Sequence, residues 1–141
     1  MKNATTDLTA NRNERQETGS SRLTVQHRSV DTLRLDPRNP REHSKKQIAQ
    51  VAESIRAFGF NVPVLIDDDN KIIAGHGRVL ACQLLGITEV PTICLSHLSP
   101  EQVRAFIIAD NKLTDNSTWN EILLGEQLKS LSEIDLHFSL E

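Results

Sequence analysis

Cysteine and long apolar runs are both scarce in this chain of 141 residues. Its two cysteines, Cys82 and Cys94, stand in apolar surroundings without the spacing of a zinc site or a disulfide framework, so we interpret both as reduced core thiols. No apolar run is long enough to cross a bilayer, and residues 1–7 lack the apolar core of a secretory signal. These absences predict a cytoplasmic protein with no membrane partner.

An excess of positive charge is also missing. The chain carries 16 Lys and Arg against 19 Asp and Glu, which gives a formal net charge of -3. Surfaces dedicated to nucleic acid are basic, so any contact with nucleic acid would have to come from a local basic patch or from another domain. The length and the 38% of hydrophobic residues fit one domain with a modest core.

The stretch 71–86 predicts a strand, a glycine turn and a helix. The apolar run Ile72 to Ala74 leads into Gly75-His76-Gly77-Arg78, after which apolar residues follow at helical spacing. Such a junction directs free backbone N–H groups and the positive end of a helix dipole at one place, which suits an anion. Arg78 adds a permanent charge, and His76 adds a titratable donor or acceptor. A tight turn with a solvated arginine is the alternative at this point.

The patterns around this junction predict several further elements. A flexible polar tail is predicted at 1–22, a compact core at 23–98, a helical part of the same domain at 99–131, and the start of a linker or following region at 132–141. Within these parts we expect edge strands between 23 and 35, a helix from Ser44 to Gly59, strands at 62–66 and 89–95, a helix from Ser99 to about 113, and a last helix at about 119–131.

Two local patterns refine these expectations. Ser44 with Gln47, and Ser99 with Gln102, have the spacing of capping boxes. The three aspartates at 67–69 stand where a polar hairpin turn is expected and lack the spacing of a calcium loop, so we interpret them as a turn. The alternating run 134–141 fits either a strand that pairs back onto the sheet or the beginning of a further region.

Three separated segments together resemble one family. They are Leu35-Asp36-Pro37-Arg38-Asn39-Pro40-Arg41, Gly75-His76-Gly77-Arg78 and Asp110-Asn111-Lys112-Leu113. Their order and content are similar to the motifs of the ParB/sulfiredoxin superfamily, specifically the ParB-like N-terminal domains of partition proteins and of proteins fused to phage or bacterial DNA methyltransferases. The resemblance covers roughly Val30 to Leu131. It implies an α+β fold, in which a small mixed sheet carries packed helices and is followed by C-terminal helices.

The resemblance also implies a nucleotide site that takes CTP or ATP with Mg²⁺. It assigns nucleotide contacts to Arg38, Asn39, Arg41, Gly75, His76, Gly77, Arg78 and Lys112. It assigns catalysis to Asp110, Asn111 and His76, with Asp110 and Asn111 also holding the metal. A neutral packing role is the alternative for His76, and a cation at a helix C-terminus is the alternative for Lys112. The second segment departs from the Gly-Glu-Arg-Arg box of partition proteins, and it has His76 at the cysteine position of the sulfiredoxin box, so peroxiredoxin repair is not expected.

The function implied by the resemblance is that of a nucleotide-binding domain, a slow NTPase switch in DNA partition, DNA modification or another DNA-associated process. It further implies a nucleotide-dependent homodimer. DNA would be contacted through a missing C-terminal region or a partner protein, because no helix-turn-helix follows these motifs. Two alternatives stay open. One is a phosphotransferase of the free-serine-kinase type, with Glu42 as the candidate carboxylate, and the other is a degenerate domain that only binds a protein.

Overall fold

The computed structural model describes residues 22–136 and Phe138. The predicted tail at 1–22 therefore lies outside the described residues except for Arg22, as does most of 137–141. Strands β1 to β4 span Val25–Ser29, Val64–Ile66, Ile72–Ala74 and Glu89–Cys94. Helices α1 to α4 span Lys45–Phe58, His76–Leu85, Pro100–Asp115 and Glu121–Ser132, and a 3₁₀ turn at Val30–Thr32 follows β1.

The four strands form one mixed sheet in the order β1-β4-β2-β3. Strand β4 pairs antiparallel with β1 and parallel with β2, while β2 and β3 form an antiparallel hairpin. Pro91 lies opposite His27 of β1, and the pairing with β2 starts one residue later at Thr92. Position 91 therefore has a strand on one side only, where the missing N–H of proline is tolerated. The arrangement confirms the predicted α+β fold.

The core lies on both faces of this sheet because side chains alternate along each strand. One face, covered by α1 and α2, buries Val64, Ile66, Ile72, Val79 and Val90 among others. The opposite face is covered by α3 and carries a smaller cluster built on Ile73, Leu95 and Ile107. Cys82 is fully buried in the larger cluster, and burial raises the pKa of its thiol, which agrees with a reduced core cysteine.

The helix starts differ in how they are capped. Ser99 Oγ accepts the N–H of Gln102 at 3.2 Å, and Gln102 Oε1 accepts the N–H of Ser99 at 2.9 Å, so the predicted capping box of α3 is confirmed. At α1 only half of the predicted box is formed. Ser44 Oγ accepts the N–H of Gln47 at 3.1 Å, but the Gln47 side chain hydrogen-bonds His43 instead of the Ser44 N–H.

Three predicted boundaries are corrected by the structure. Helix α2 begins at His76 rather than Arg78, because Gly75 in a left-handed conformation (φ 109°) already serves as its N-cap. Helix α3 continues to Asp115, so Asn116 caps its C-terminus and α4 begins later than expected, with Asn120 as N-cap. The predicted strand character at 30–35 is reduced to a bridge between Arg34 and Lys71.

The remaining segments are short. The aspartate turn between β2 and β3 forms as expected, since Asp67 Oδ1 accepts the N–H groups of Asp69 and Lys71, each at 2.9 Å. Past α4, residues 133–136 and 138 contain no strand, although the Phe138 ring packs edge-on against Phe58 of α1 with centroids 4.9 Å apart. None of the helices between residues 22 and 136 combines the length and the apolar character that a membrane span requires.

Candidate functional site

A cleft of about 500 Å³ opens between the loop that precedes α1, the N-terminus of α2 and one side of α3. Its polar lining comes from all three segments that suggested the resemblance. These lining residues are Asn39, Arg41, Gly75, His76, Gly77, Arg78, Asp110 and Asn111, joined by His43, Gln47 and Thr114. The rest of the wall is mostly apolar and includes Leu65, Ile73, Ile93 and Ile107. The fold therefore brings distant parts of the sequence to one cavity.

The β3–α2 junction supplies the floor of this cleft. Gly75 has a φ of 109°, which disfavours any residue with a side chain. A Cβ atom at position 75 would also lie 3.1 Å from Nη2 of Arg78 and 3.4 Å from the Val64 side chain. The chain then enters α2 directly, so the first N–H groups of the helix have no partners within it and carry the positive end of the helix dipole.

Arg78 is half-buried at this junction, and its hydrogen bonds are incomplete. Nη2 donates to the carbonyl oxygen of Pro63 at 3.3 Å, whereas Nε is shielded from solvent and has no partner among the described residues. Burial lowers the pKa of the guanidinium, and the nearby Asp110 carboxylate opposes that shift. The salt bridge between Arg56 and Glu53 lies elsewhere. Arg78 is thus a partly desolvated cation without a salt bridge, which favours an anionic ligand.

The first and third segments meet across the cleft. Arg41 Nη1 donates to Oδ1 of Asn111 at 3.0 Å, although 70 residues separate them. Asn111 is oriented by its own helix, because Nδ2 donates to the carbonyl oxygen of Ile107 at 2.9 Å. The loop is stiffened in turn, since Asn39 Oδ1 accepts the N–H of Arg41 at 3.1 Å. Arg41 is therefore held at the mouth of the cleft by groups from two elements.

His76 anchors the loop from inside the fold. Its side chain is only 6% exposed, and Nε2 accepts the backbone N–H of Asp36 at 3.3 Å. Burial lowers the pKa of His76, and nearby His43 lowers it further, while Asp36 opposes both effects. A neutral imidazole with its proton on Nδ1 fits these contacts. The structure thus gives His76 a positioning contact, and the catalytic role expected for it stays a prediction.

The other predicted residues differ in where they lie. Asp110 is exposed at the edge of the cleft and lines it. Arg38 and Lys112 are exposed and lie outside the lining, as does Glu42, the carboxylate on which a phosphotransferase would depend. The described residues contain no group of three His, Cys, Asp or Glu side chains placed to hold a metal ion.

Three polar lining residues were missed by sequence reasoning, namely His43, Gln47 and Thr114. Gln47 had been interpreted as half of a capping box, and Thr114 stood beyond the predicted helix end. The position of His43 in the sequence could have indicated that it belongs to the site. It lies two residues after Arg41, the last residue of the first motif segment, and directly before the helix cap Ser44.

The fold and this cleft define a small α+β domain with a glycine-containing junction between a strand and a helix. The chain belongs to the ParB N-terminal domain family, whose model matches residues 13–111. It is 47% identical over 83 residues to the ParB-like nuclease domain-containing protein YnaK of Escherichia coli (strain K12), a match that covers 59% of this chain and 95% of YnaK.

Partition proteins are more distant relatives. The probable chromosome 2-partitioning protein ParB of Deinococcus radiodurans is 37% identical over 91 residues, covering 62% of this chain and 31% of that protein. The chain therefore spans about a third of the length of this longer relative. The same fold occurs in the C-terminally truncated chromosome-partitioning protein ParB from Caulobacter crescentus complexed with CTP-gamma-S, with a TM-score of 0.67, 24% identity, and coverage of 78% of this chain and 63% of that one.

Proposed function

We propose that this domain binds a nucleoside triphosphate, CTP or ATP, with its phosphates at the β3–α2 junction. The main support for this proposal is the environment of Arg78. This side chain is a half-buried guanidinium with an unpartnered Nε, and it stands beside backbone N–H groups that a helix leaves free. A polyphosphate would supply the missing acceptors and the missing negative charge. The lack of a side chain at Gly75 and Gly77 lets Arg78 and His43 pack closely against the turn.

Arg41 would be the second cation of the site. In the structure its Nη1 is bound to Asn111, and a phosphate offers a guanidinium a stronger, charge-assisted partner than an amide oxygen does. Arg38 and Lys112 lie on the exposed surface nearby and would act at longer range. Ligand binding and the Arg41–Asn111 contact would therefore compete for the same guanidinium.

Mg²⁺ would be held in this cleft by a protein carboxylate and the phosphates of the nucleotide together. Mg²⁺ is commonly held by one or two carboxylates together with substrate phosphates, and Asp110 is the carboxylate of this cleft. Asn111 is less suited as a ligand while its Oδ1 faces a guanidinium. When bound, the metal would neutralise phosphate charge. Slow hydrolysis, with Asp110 and Asn111 as the residues that orient water, is the activity we propose for this set.

The test is a calorimetric titration with each of the four ribonucleoside triphosphates in magnesium, with and without duplex DNA. We expect saturable binding to one of them, and CTP is the first choice because the Caulobacter ParB structure contains CTP-gamma-S. Arg78→Ala should weaken binding by about 2 kcal/mol or more, since a charge-assisted contact in a preformed site is lost.

Arg104→Ala is the matched control, because Arg104 is an exposed arginine of α3 outside the cleft lining. It should bind like the wild-type protein. Unchanged affinity in Arg78→Ala would remove Arg78 from the site. Failure of the wild-type protein to bind any of the four triphosphates would overturn the proposal as a whole.

We further propose that the nucleotide controls dimerisation and, through it, work on DNA. Helix α4 has no buried residue in the described chain, and its apolar side chains Ile122, Leu123, Leu128 and Leu131 are exposed. A second copy of this chain would cover them, which agrees with the dimer implied by the resemblance. DNA would be reached through the longer protein or a partner, in partition or DNA modification.

A further inference from the structure

His43 forms part of the cleft wall, next to the glycine turn. It lies at the end of the loop that carries Arg41 and directly before the α1 cap Ser44. The ring is half-buried, so one part is packed and another part remains accessible from the cleft. None of the motifs that suggested the resemblance includes this residue.

The His43 ring is held in a fixed orientation by α1. Nδ1 lies 3.2 Å from Oε1 of Gln47, one helical turn further along the chain. An amide oxygen only accepts hydrogen bonds, so Nδ1 is the protonated nitrogen in this contact. Nε2 has no hydrogen-bond partner among the described residues. The contact therefore presents a fixed imidazole whose second nitrogen is available to a ligand.

Gly77 explains how close the ring comes to the turn. Its φ is not in the left-handed region, in contrast to Gly75, so its backbone would accept a side chain. A Cβ atom at position 77 would nevertheless lie 3.2 Å from both Cε1 and Nδ1 of His43. The absence of a side chain at position 77 therefore makes room for the imidazole, which packs on the first turn of α2.

The charges around the ring favour an anion between them. Arg41 approaches from the same loop, His76 and Arg78 from α2, and Asp110 from α3. A bound polyphosphate would bring negative charge to this wall of the cleft, and negative charge stabilises a protonated imidazole.

We infer that His43 is a phosphate-binding residue of this cleft, which donates from Nε2 and takes up a proton when the ligand binds. Gln47 keeps the donor aimed at the phosphates by holding Nδ1. This inference rests on the proposed binding of a nucleoside triphosphate. It adds a residue and a pH dependence that the three motif segments do not provide.

Two substitutions separate the two ring nitrogens. In His43→Asn the amide reaches the position of Nδ1 and keeps the Gln47 contact, but nothing replaces Nε2. In His43→Gln the amide nitrogen reaches the position of Nε2 and donates without needing a proton. His97→Asn is the matched control, since His97 is exposed and lies outside the cleft lining. Thermal unfolding of each variant verifies that it is folded.

Affinity for the best-bound triphosphate is measured at about pH 6 and about pH 8, on either side of the ordinary histidine range. Titration of the nucleotide itself cancels in the ratio of variant to wild-type Kd. We expect His43→Asn to bind about tenfold to a hundredfold more weakly at the lower pH, as for a lost charge-assisted contact. The difference should shrink at the higher pH. His43→Gln should bind better than His43→Asn, and its pH dependence should be weaker than that of the wild-type protein.

Wild-type affinity in His43→Asn at both pH values would overturn the role of His43 while leaving the triphosphate site intact. Equal, pH-independent losses in the Asn and Gln variants would also overturn it, because a ring that only shapes the loop would give that result. A wild-type protein that binds no triphosphate would remove both proposals together.

Discussion

Gly75 and Gly77 stand two residues apart and are needed for different physical reasons. Gly75 supplies a left-handed backbone conformation, and a Cβ there would press on Arg78. Gly77 has ordinary helical geometry and makes room for the His43 ring. The sequence was sufficient to predict a strand, a glycine turn and a helix at this place, and anion binding by the turn stays a prediction. The need for glycine at position 77 depends on His43, which is 34 positions away in the sequence, so it could not be predicted before the fold was known.

The buried imidazole of His76 predicts a pH dependence of stability. Burial lowers its pKa below the ordinary value of 6.5, so below that pH the unfolded chain binds more protons than the folded protein does. Stability therefore rises with pH across this range and is lost as the pH falls below about 6.5. The contribution is measured as the difference in unfolding free energy between wild-type and His76→Gln, which keeps an acceptor for the Asp36 N–H and does not titrate.

The wild-type protein should lose stability relative to His76→Gln between about pH 7 and about pH 5, since the other titrating groups are common to both proteins. His27→Gln, at an exposed position of β1, is the control and should show no such difference. A parallel decline in wild-type and His76→Gln would contradict a buried, neutral His76.

Gln47 and Gln102 each occupy the third position of a helix, but their side chains make different contacts. Gln102 completes the capping box of α3, whereas Gln47 at the equivalent place in α1 turns towards His43. Gln102→Ala should lower the unfolding free energy by about 0.5–1 kcal/mol, because it removes the acceptor of the Ser99 N–H. Gln47→Ala should change stability less and nucleotide affinity more. Urea unfolding and calorimetry measure the two effects, and equal stability losses with unchanged affinity would contradict the distinction.

Helix existence was predictable from the sequence, and helix ends were less so. Ser44, Ser99 and Gly59 mark their caps through local chemistry, and the structure confirms all three. The end of α3 was placed too early, because polar Asp110 and Asn111 look like a helix terminus. They lie inside the helix instead, where Asn111 hydrogen-bonds the carbonyl of Ile107 one turn back. Only the folded chain shows that this places Asn111 opposite Arg41.

At the scale of the whole molecule, the exposed apolar surface of α4 predicts self-association. Ile122 is 76% exposed, and burying such a side chain contributes about 1.5–3 kcal/mol. Sedimentation with saturating triphosphate should therefore show a dimer for the wild-type protein. Ile122→Glu should raise the dimer Kd by about tenfold or more.

Gln127→Glu adds the same charge to an exposed position of the same helix and serves as the control. It should dimerise like the wild-type protein if α4 contacts its copy through the apolar side chains. A wild-type protein that stays monomeric with every triphosphate would contradict dimerisation, and equal weakening by both substitutions would mean that charge rather than apolar contact is responsible.

The sheet order could not be predicted from sequence patterns. The β2–β3 hairpin was expected because a polar turn joins two apolar runs. The central place of β4, paired with β1 on one side and β2 on the other, depends on contacts between residues far apart in sequence. Alternation along each strand identified apolar side chains but not which face each helix covers. The cleft depends on that choice, since α3 packs on the face of the sheet that carries Ile73 and Leu95.

The parallel pairing of β2 with β4 has a consequence for how the protein folds. In the sequence, β3, the Gly75 turn and α2 lie between β2 and β4. Pairing these two strands therefore closes a long loop. Long loops tend to close late in folding, because closing them lowers the conformational entropy of the chain before the strand pairing stabilises it. The β3–α2 junction lies inside that loop, and α3 follows β4 in the chain. A chain in which β4 and α3 have not yet docked would therefore lack the wall of the cleft that α3 provides.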